Sequence, residues 1–130
     1  MSSWILDKAY SIDEPSGVSA YRAVVQGTNG GEAKLPAAGN AGSILGVTVH
    51  SQTRQGGNVA VRKAGIARAM AAGAIPVGAP VNIADTAGKV KAIDEIPGTN
   101  IECLGFAETA AYGDGDIIEV FITIHARPAP

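Results

Sequence analysis

Apolar and polar residues alternate along much of the chain, and this alternation predicts its elements. In Asp116-Ile117-Ile118-Glu119-Val120-Phe121-Ile122-Thr123-Ile124, the residues Ile118, Val120, Ile122 and Ile124 fall on one face. That period of two is the signature of a half-buried β-strand. Asn58-Val59-Ala60-Val61-Arg62 alternates in the same way. The apolar segments are short and punctuated by glycine, so the pattern predicts many short strands joined by tight turns. Gly56-Gly57 and Gly113-Asp114-Gly115-Asp116 read as hairpin turns, where glycine takes a positive φ at little steric cost.

One segment sets propensity against pattern. Ala64-Gly65-Ile66-Ala67-Arg68-Ala69-Met70-Ala71-Ala72-Gly73 is alanine-rich, and alanine favours helix. Ile66, Arg68 and Met70 nevertheless lie two apart, and glycines bracket only a short stretch. The spacing predicts a strand ending in a turn at Ala72-Gly73, with a single helical turn as the alternative.

The chain also repeats itself. Ile44-Leu45-Gly46-Val47-Thr48-Val49 resembles Cys103-Leu104-Gly105-Phe106-Ala107-Glu108, at a shift of 105 − 46 = 59 residues. The same shift lays Gly56 on Gly115, Val59 on Ile118 and Val61 on Val120, and extends upstream to lay Val18–Val24 on Val77–Ile83. A small slip then matches Gly31-Glu32-Ala33-Lys34 to Gly88-Lys89-Val90-Lys91. Each unit of short strands has one apolar face that it cannot bury alone, so two units close on each other. The expected fold is all-β: a small β-barrel or sandwich of two tandem, pseudo-symmetric, four-stranded units, with repeat 1 over about 17–65 and repeat 2 over about 76–124. Residues 17–125 are expected to form the single barrel domain, 1–16 an N-terminal arm or added strand, and 126–130 a loose tail. A glycine inside a strand marks a bulge, a corner or a close backbone approach, and each Leu-Gly pair predicts such a point.

At 130 residues the chain can bury one hydrophobic core. Ten basic and twelve acidic residues are spread along it and give a net charge of −2. There is no basic stripe for a phosphate backbone, so no nucleic-acid partner is expected. No apolar run approaches the ~20 residues of a spanning helix, so no membrane partner is expected either. Met1–Asp7 lacks the basic-then-apolar layout of a secretory leader. A lone cysteine, Cys103, cannot form an internal disulfide, which fits synthesis in a reducing cytoplasm or any fold that does not depend on disulfides.

The sequence offers no catalytic residue, no metal ligand and no cofactor. His50 and His125, the two histidines, have no ligand-type neighbours at metal spacing. Cys103 as a nucleophile would need a thiolate-stabilising setting and a base. Its repeat partner is Ile44, which predicts a small buried residue instead. Asp114 and Asp116 have the Asp-x-Asp spacing of a calcium loop without the twelve-residue pattern and terminal Glu. The corresponding Arg54-Gln55-Gly56-Gly57 has no acids, so ordinary hairpin chemistry accounts for both turns. Gly27-Thr28-Asn29-Gly30-Gly31 lacks the Gly-Lys-Ser/Thr ending of a phosphate loop and reads as a hairpin tip.

Trp4 and Tyr10 lie in the N-terminal segment, outside the repeat as drawn. They either cap one end of the barrel or anchor a partner, since Trp and Tyr are favoured at binding hot spots. An extended N-terminal arm could also add a strand to a partner's sheet edge.

The second half carries a resemblance. The run from Gly65 to Gly73, then Ile75-Pro76-Val77-Gly78-Ala79-Pro80-Val81, Thr86-Ala87-Gly88-Lys89-Val90, Leu104-Gly105-Phe106-Ala107 and Gly113 to Ile122 follow one another in an order and spacing. This pattern resembles the family of small bacteriophage head proteins, long described as of unknown function, that serve as capsid decoration or cement proteins. The resemblance covers about Ile44 to Ile124. It implies a non-enzymatic virion protein, made in the host bacterial cytoplasm, that sits on the capsid exterior. It also implies binding to the assembled major capsid protein shell, stabilisation of that shell, and self-association as a homotrimer. The N-terminal segment would make the capsid or inter-subunit contact, which nominates Trp4, Ile5, Leu6 and Tyr10. Two other classes stay open on the sequence. One is a small-ligand or carbohydrate-binding β-barrel module, disfavoured by an aromatic content of 5% that leaves few rings to line a pocket. The other is an enzyme using Cys103 with a histidine.

Overall fold

The computed structural model describes residues 5–39, 42–93 and 100–128, and among them there is no helix. Nine strands follow in order: β1 Leu6–Ile12, β2 Ala23–Gln26, β3 Glu32–Lys34, β4 Ile44–Thr48, β5 Asn58–Met70, β6 Pro80–Ile83, β7 Val90–Ala92, β8 Asn100–Ala107 and β9 Ile117–Pro128. The alanine-rich segment forms the second half of β5 as far as Met70 and then turns at Ala72-Gly73. Strand wins over helical propensity there because Ala67, Ala69 and Ala71 all point into the buried interior and pack against its larger side chains, while Ile66 and Arg68 point out.

The strands form two five-stranded units that share β5. In the first, hydrogen bonding runs β1-β3-β2-β4-β5 and returns from β5 to β1, which closes a barrel. In the second it runs β5-β9-β8-β6-β7. A single parallel bridge between Ala71 and Val90 closes that unit, the counterpart of Ile12 with Ala33 in the first. The expected four strands per unit are therefore five. The missing one is β1, placed outside the repeat by sequence alone. Its pairs Tyr10–Val59 and Lys8–Val61 recur in unit 2 as Ala69–Ile118 and Ala67–Val120. Leu6–Ile12 and Gly65–Ala71 do not share a single identical residue, so only their pairing reveals the equivalence.

The upstream alignment also needs correction. Val24 pairs with Gly46 and Val81 with Gly105, so β2 and β6 correspond at a shift of 81 − 24 = 57. The bridges Val18–Gln52 and Ile75–Ala111 agree. The two-residue slip falls in the turn after the first strand, where Asp13–Gly17 takes the place of the shorter Ala72–Ala74.

Equivalent positions fill the two interiors. Val24, Leu45, Val59 and Val61 in unit 1 answer to Val81, Leu104, Ile118 and Val120 in unit 2, all buried. Where unit 1 places the bulky Tyr10 and Ile12, unit 2 has Ala69 and Ala71. Unit 2 recovers the volume with Ile75, Val90 and Ile118 in place of Val18, Ala33 and Val59. Such compensation keeps a core at native density. Both Leu-Gly pairs sit at β-bulges. There Gly46 lies against the carbonyl of Arg62, and Gly105 against that of Phe121.

Ala23, Val25, Ile44 and Val47, on the outside of unit 1, belong to the same buried cluster as the interior of unit 2. Hydrogen bonds stitch this junction. The Met70 N–H donates to the Tyr21 carbonyl and the Ala23 N–H to the Gly88 carbonyl. The Glu102 carboxylate accepts from the Ser43 and Ile44 N–H groups. Tyr21 takes a left-handed φ of 64° while its N–H reaches Thr48 and its carbonyl Met70. At the other end, β9 stays paired with β8 to Pro128, so the tail expected to be loose from residue 126 is strand through 128.

Candidate assembly surface

The structure separates the N-terminal residues nominated by sequence. Trp4 lies outside the described residues. Ile5 and Leu6 are 50% and 57% exposed, and Leu6 pairs with Ala64 at an irregularity in the β1–β5 ladder. Tyr10 is only 4% exposed and is part of the unit 1 core. Its hydroxyl accepts a 2.8 Å bond from Lys63 Nζ, and the ammonium groups of Lys8 and Lys63 lie 5.3 and 5.2 Å from its ring centre. The amphipathic tyrosine thus closes the barrel mouth with its ring inside, and the ring does not present itself to a partner.

A second surface emerges from the register. Ile66 pairs with Phe121, Phe121 with Phe106, and Phe106 with Pro80, a row across β5, β9, β8 and β6. Directly paired residues share a sheet face. Val120 and Ile122, which flank Phe121, are buried in the interior, so the row points outward. Ile66 and Phe121 are 44% and 45% exposed, and Phe106 stacks on His125 with ring centres 5.8 Å apart. The corresponding row in unit 1 is Asp7, Arg62, Val47 and Ala23. Its first two members form an ion pair at 2.9 Å, and the last two are buried beneath unit 2. The hydrogen-bonded carboxylate of Asp7 holds the Arg62 guanidinium above its ordinary pKa, against a smaller opposing effect of burial. Alternation in the last strand leaves Phe121 opposite the apolar face of Ile118, Val120 and Ile122, but the alignment of the row depends on pairings with no local signal in the sequence.

The remaining chemical candidates have plain structural settings. Cys103 is buried, pairs with His125 across the ladder, and points its thiol at the Gly105 carbonyl, 3.3 Å away. His50 is exposed and accepts from the Ala60 N–H. The Asp116 carboxylate accepts the Tyr112 and Gly113 N–H groups and so ties its own turn, while Asp114 pairs with Lys89 at 2.9 Å. Among the described residues, no three His, Cys, Asp or Glu side chains gather to hold a metal ion. An open groove of about 330 Å³ lies between the units, lined by Tyr21, Thr48, Arg62, Ile66, Arg68 and Glu119 among others. Among the described residues no helix is long and apolar enough to cross a membrane.

No family model matches the chain, and no curated protein matches it. Among solved structures, the crystal structure of the head fiber gp8.5 N base in bacteriophage phi29 is similar. The two are 21% identical and superpose with a TM-score of 0.62, over 92% of this chain and 95% of that chain. At that identity the likeness establishes a shared all-β fold along nearly the whole of both chains.

Proposed function

We propose that this chain is a structural protein of a phage or prophage virion, one that binds the outer surface of the assembled major capsid protein shell and stabilises it. The observation that carries the reading is the fold shared with the base of a phage head fiber over 92% of the chain. The ordered glycine and valine blocks from Gly65 to Ile122, similar to those of capsid decoration proteins, support it independently. In this reading the protein is not an enzyme, acts as a homotrimer, and works by joining other proteins. The exposed Ile5 and Leu6, with Trp4 before them, supply an apolar contact at the start of β1. Many copies on a repeating lattice let each individual contact be modest.

Co-sedimentation tests this reading. The full chain is mixed with assembled capsid shells of the phage or prophage that encodes it, and separately with unassembled capsid subunits. It is expected to pellet with the shells and to raise their resistance to heat or chaotrope. A chain that stays in the supernatant with every form of the shell refutes the proposal.

A further inference from the structure

We infer that the outward row Ile66, Phe121, Phe106 and Pro80 receives a second copy of this chain. The internal repeat is what commits the surface to that partner. At the corresponding place in unit 1, Val47 and Ala23 are fully buried because another unit of the same fold packs over them. The chain therefore demonstrates that this part of the sheet accepts a unit of its own kind. In unit 2 the row continues onto β9 and β5 with Phe121 and Ile66. There unit 1 has the charged Arg62 and Asp7, which suit water. Replacing an ion pair by Phe and Ile on an outer face lowers solubility without adding to the core, and makes sense where the face is covered.

Electrostatics fits a like partner. The next outward-facing pair along β5 and β9 is Arg68 with Glu119, both exposed, so the row is flanked by one charge of each sign. Two copies meeting there face no net repulsion, and each can offer the opposite charge to the other. Phe106 is held by its stack on His125, so little of its side-chain freedom is lost on contact. Self-association through this row does not depend on the virion reading.

The test compares the full chain with Phe121→Lys by sedimentation velocity over a wide concentration range. Far-UV circular dichroism and a melting curve check that the variant keeps its fold. Phe121→Gln serves as a milder variant should the lysine prevent folding, and Tyr112→Lys as a control at an exposed ring outside the row. The wild-type chain is expected to self-associate. The Phe121 variants should weaken association by about tenfold or more, while Tyr112→Lys leaves it unchanged. A wild-type chain that is monomeric at every concentration overturns the inference, as does a folded Phe121 variant that associates like wild type. If the variants lose pelleting with capsid shells but keep self-association, the row faces the capsid, and this inference falls while the virion reading stands. Self-association through Phe121 in a chain that ignores capsids upholds the inference and overturns the virion reading.

Discussion

Replacing Gly105 by alanine probes the bulge on which unit 2 turns. A Cβ built there runs into the carbonyl oxygen of Phe121 and lies 2.9 Å from its carbonyl carbon and 3.1 Å from the Cα of Ile122. All three neighbours are backbone of β9, so relief requires β8 and β9 to separate at a point where Ile122 and Leu104 are both buried. Overpacking of this kind costs roughly 1–3 kcal/mol, and the rigid obstacle puts Gly105→Ala near the upper end, about 3 kcal/mol. Gly46→Ala meets the same obstacle at Arg62 and must also adopt a φ of 149°, which adds roughly 1 kcal/mol or more of backbone strain. For a chain of this size 1 kcal/mol corresponds to roughly 3–5 °C, so Gly105→Ala should lower Tm by about 10 °C and Gly46→Ala by more. Gly113→Ala is the control, because nothing lies within 4 Å of its added Cβ, and its change should stay within about 0.5 kcal/mol. Urea titrations and melting curves followed by circular dichroism provide the measurement. Equal midpoints for Gly105→Ala and Gly113→Ala would refute the close-approach reasoning.

Four further outcomes are expected. Ile118→Ala, in the unit 2 interior, should cost about 2–5 kcal/mol in the same titrations, since the barrel wall cannot collapse into the space. Cys103→Val should change stability by less than about 1.5 kcal/mol, and the native thiol should resist aqueous disulfide reagents until the protein unfolds. Asp7→Asn should cost only about 0.2–1 kcal/mol, because both partners are partly solvated, and the difference should shrink in high salt. A raised pKa on Arg62 makes its contribution complete below the ordinary arginine value and lost only above it. A pH scan across the neutral range should therefore show no loss traceable to that group.

Much of this architecture was legible one strand at a time. Alternation in Ile117–Ile124 and Asn58–Arg62 specified strands and their buried faces, because a period of two is imposed by the pleat itself. The Leu-Gly pairs gave the repeat and its bulges, because only glycine tolerates a neighbouring carbonyl at that distance. Even the alanine-rich stretch was readable, since its spacing of two outlasted its helical propensity.

What tertiary structure alone decided is which strands are partners. β1 belongs to the repeat although it matches no residue of its counterpart, because membership is defined by pairing with β5 and not by side-chain identity. Tyr10 changed from a candidate anchor to a core residue when the barrel closed around its ring. Phe106, Phe121 and Ile66 are far apart in sequence, and only the register sets them in one outward row. A single chain encodes each strand's two faces locally. Which outer face is covered by the sister unit and which stays exposed follows from long-range pairing, whose free energy is shared among residues that carry no mark of one another in sequence.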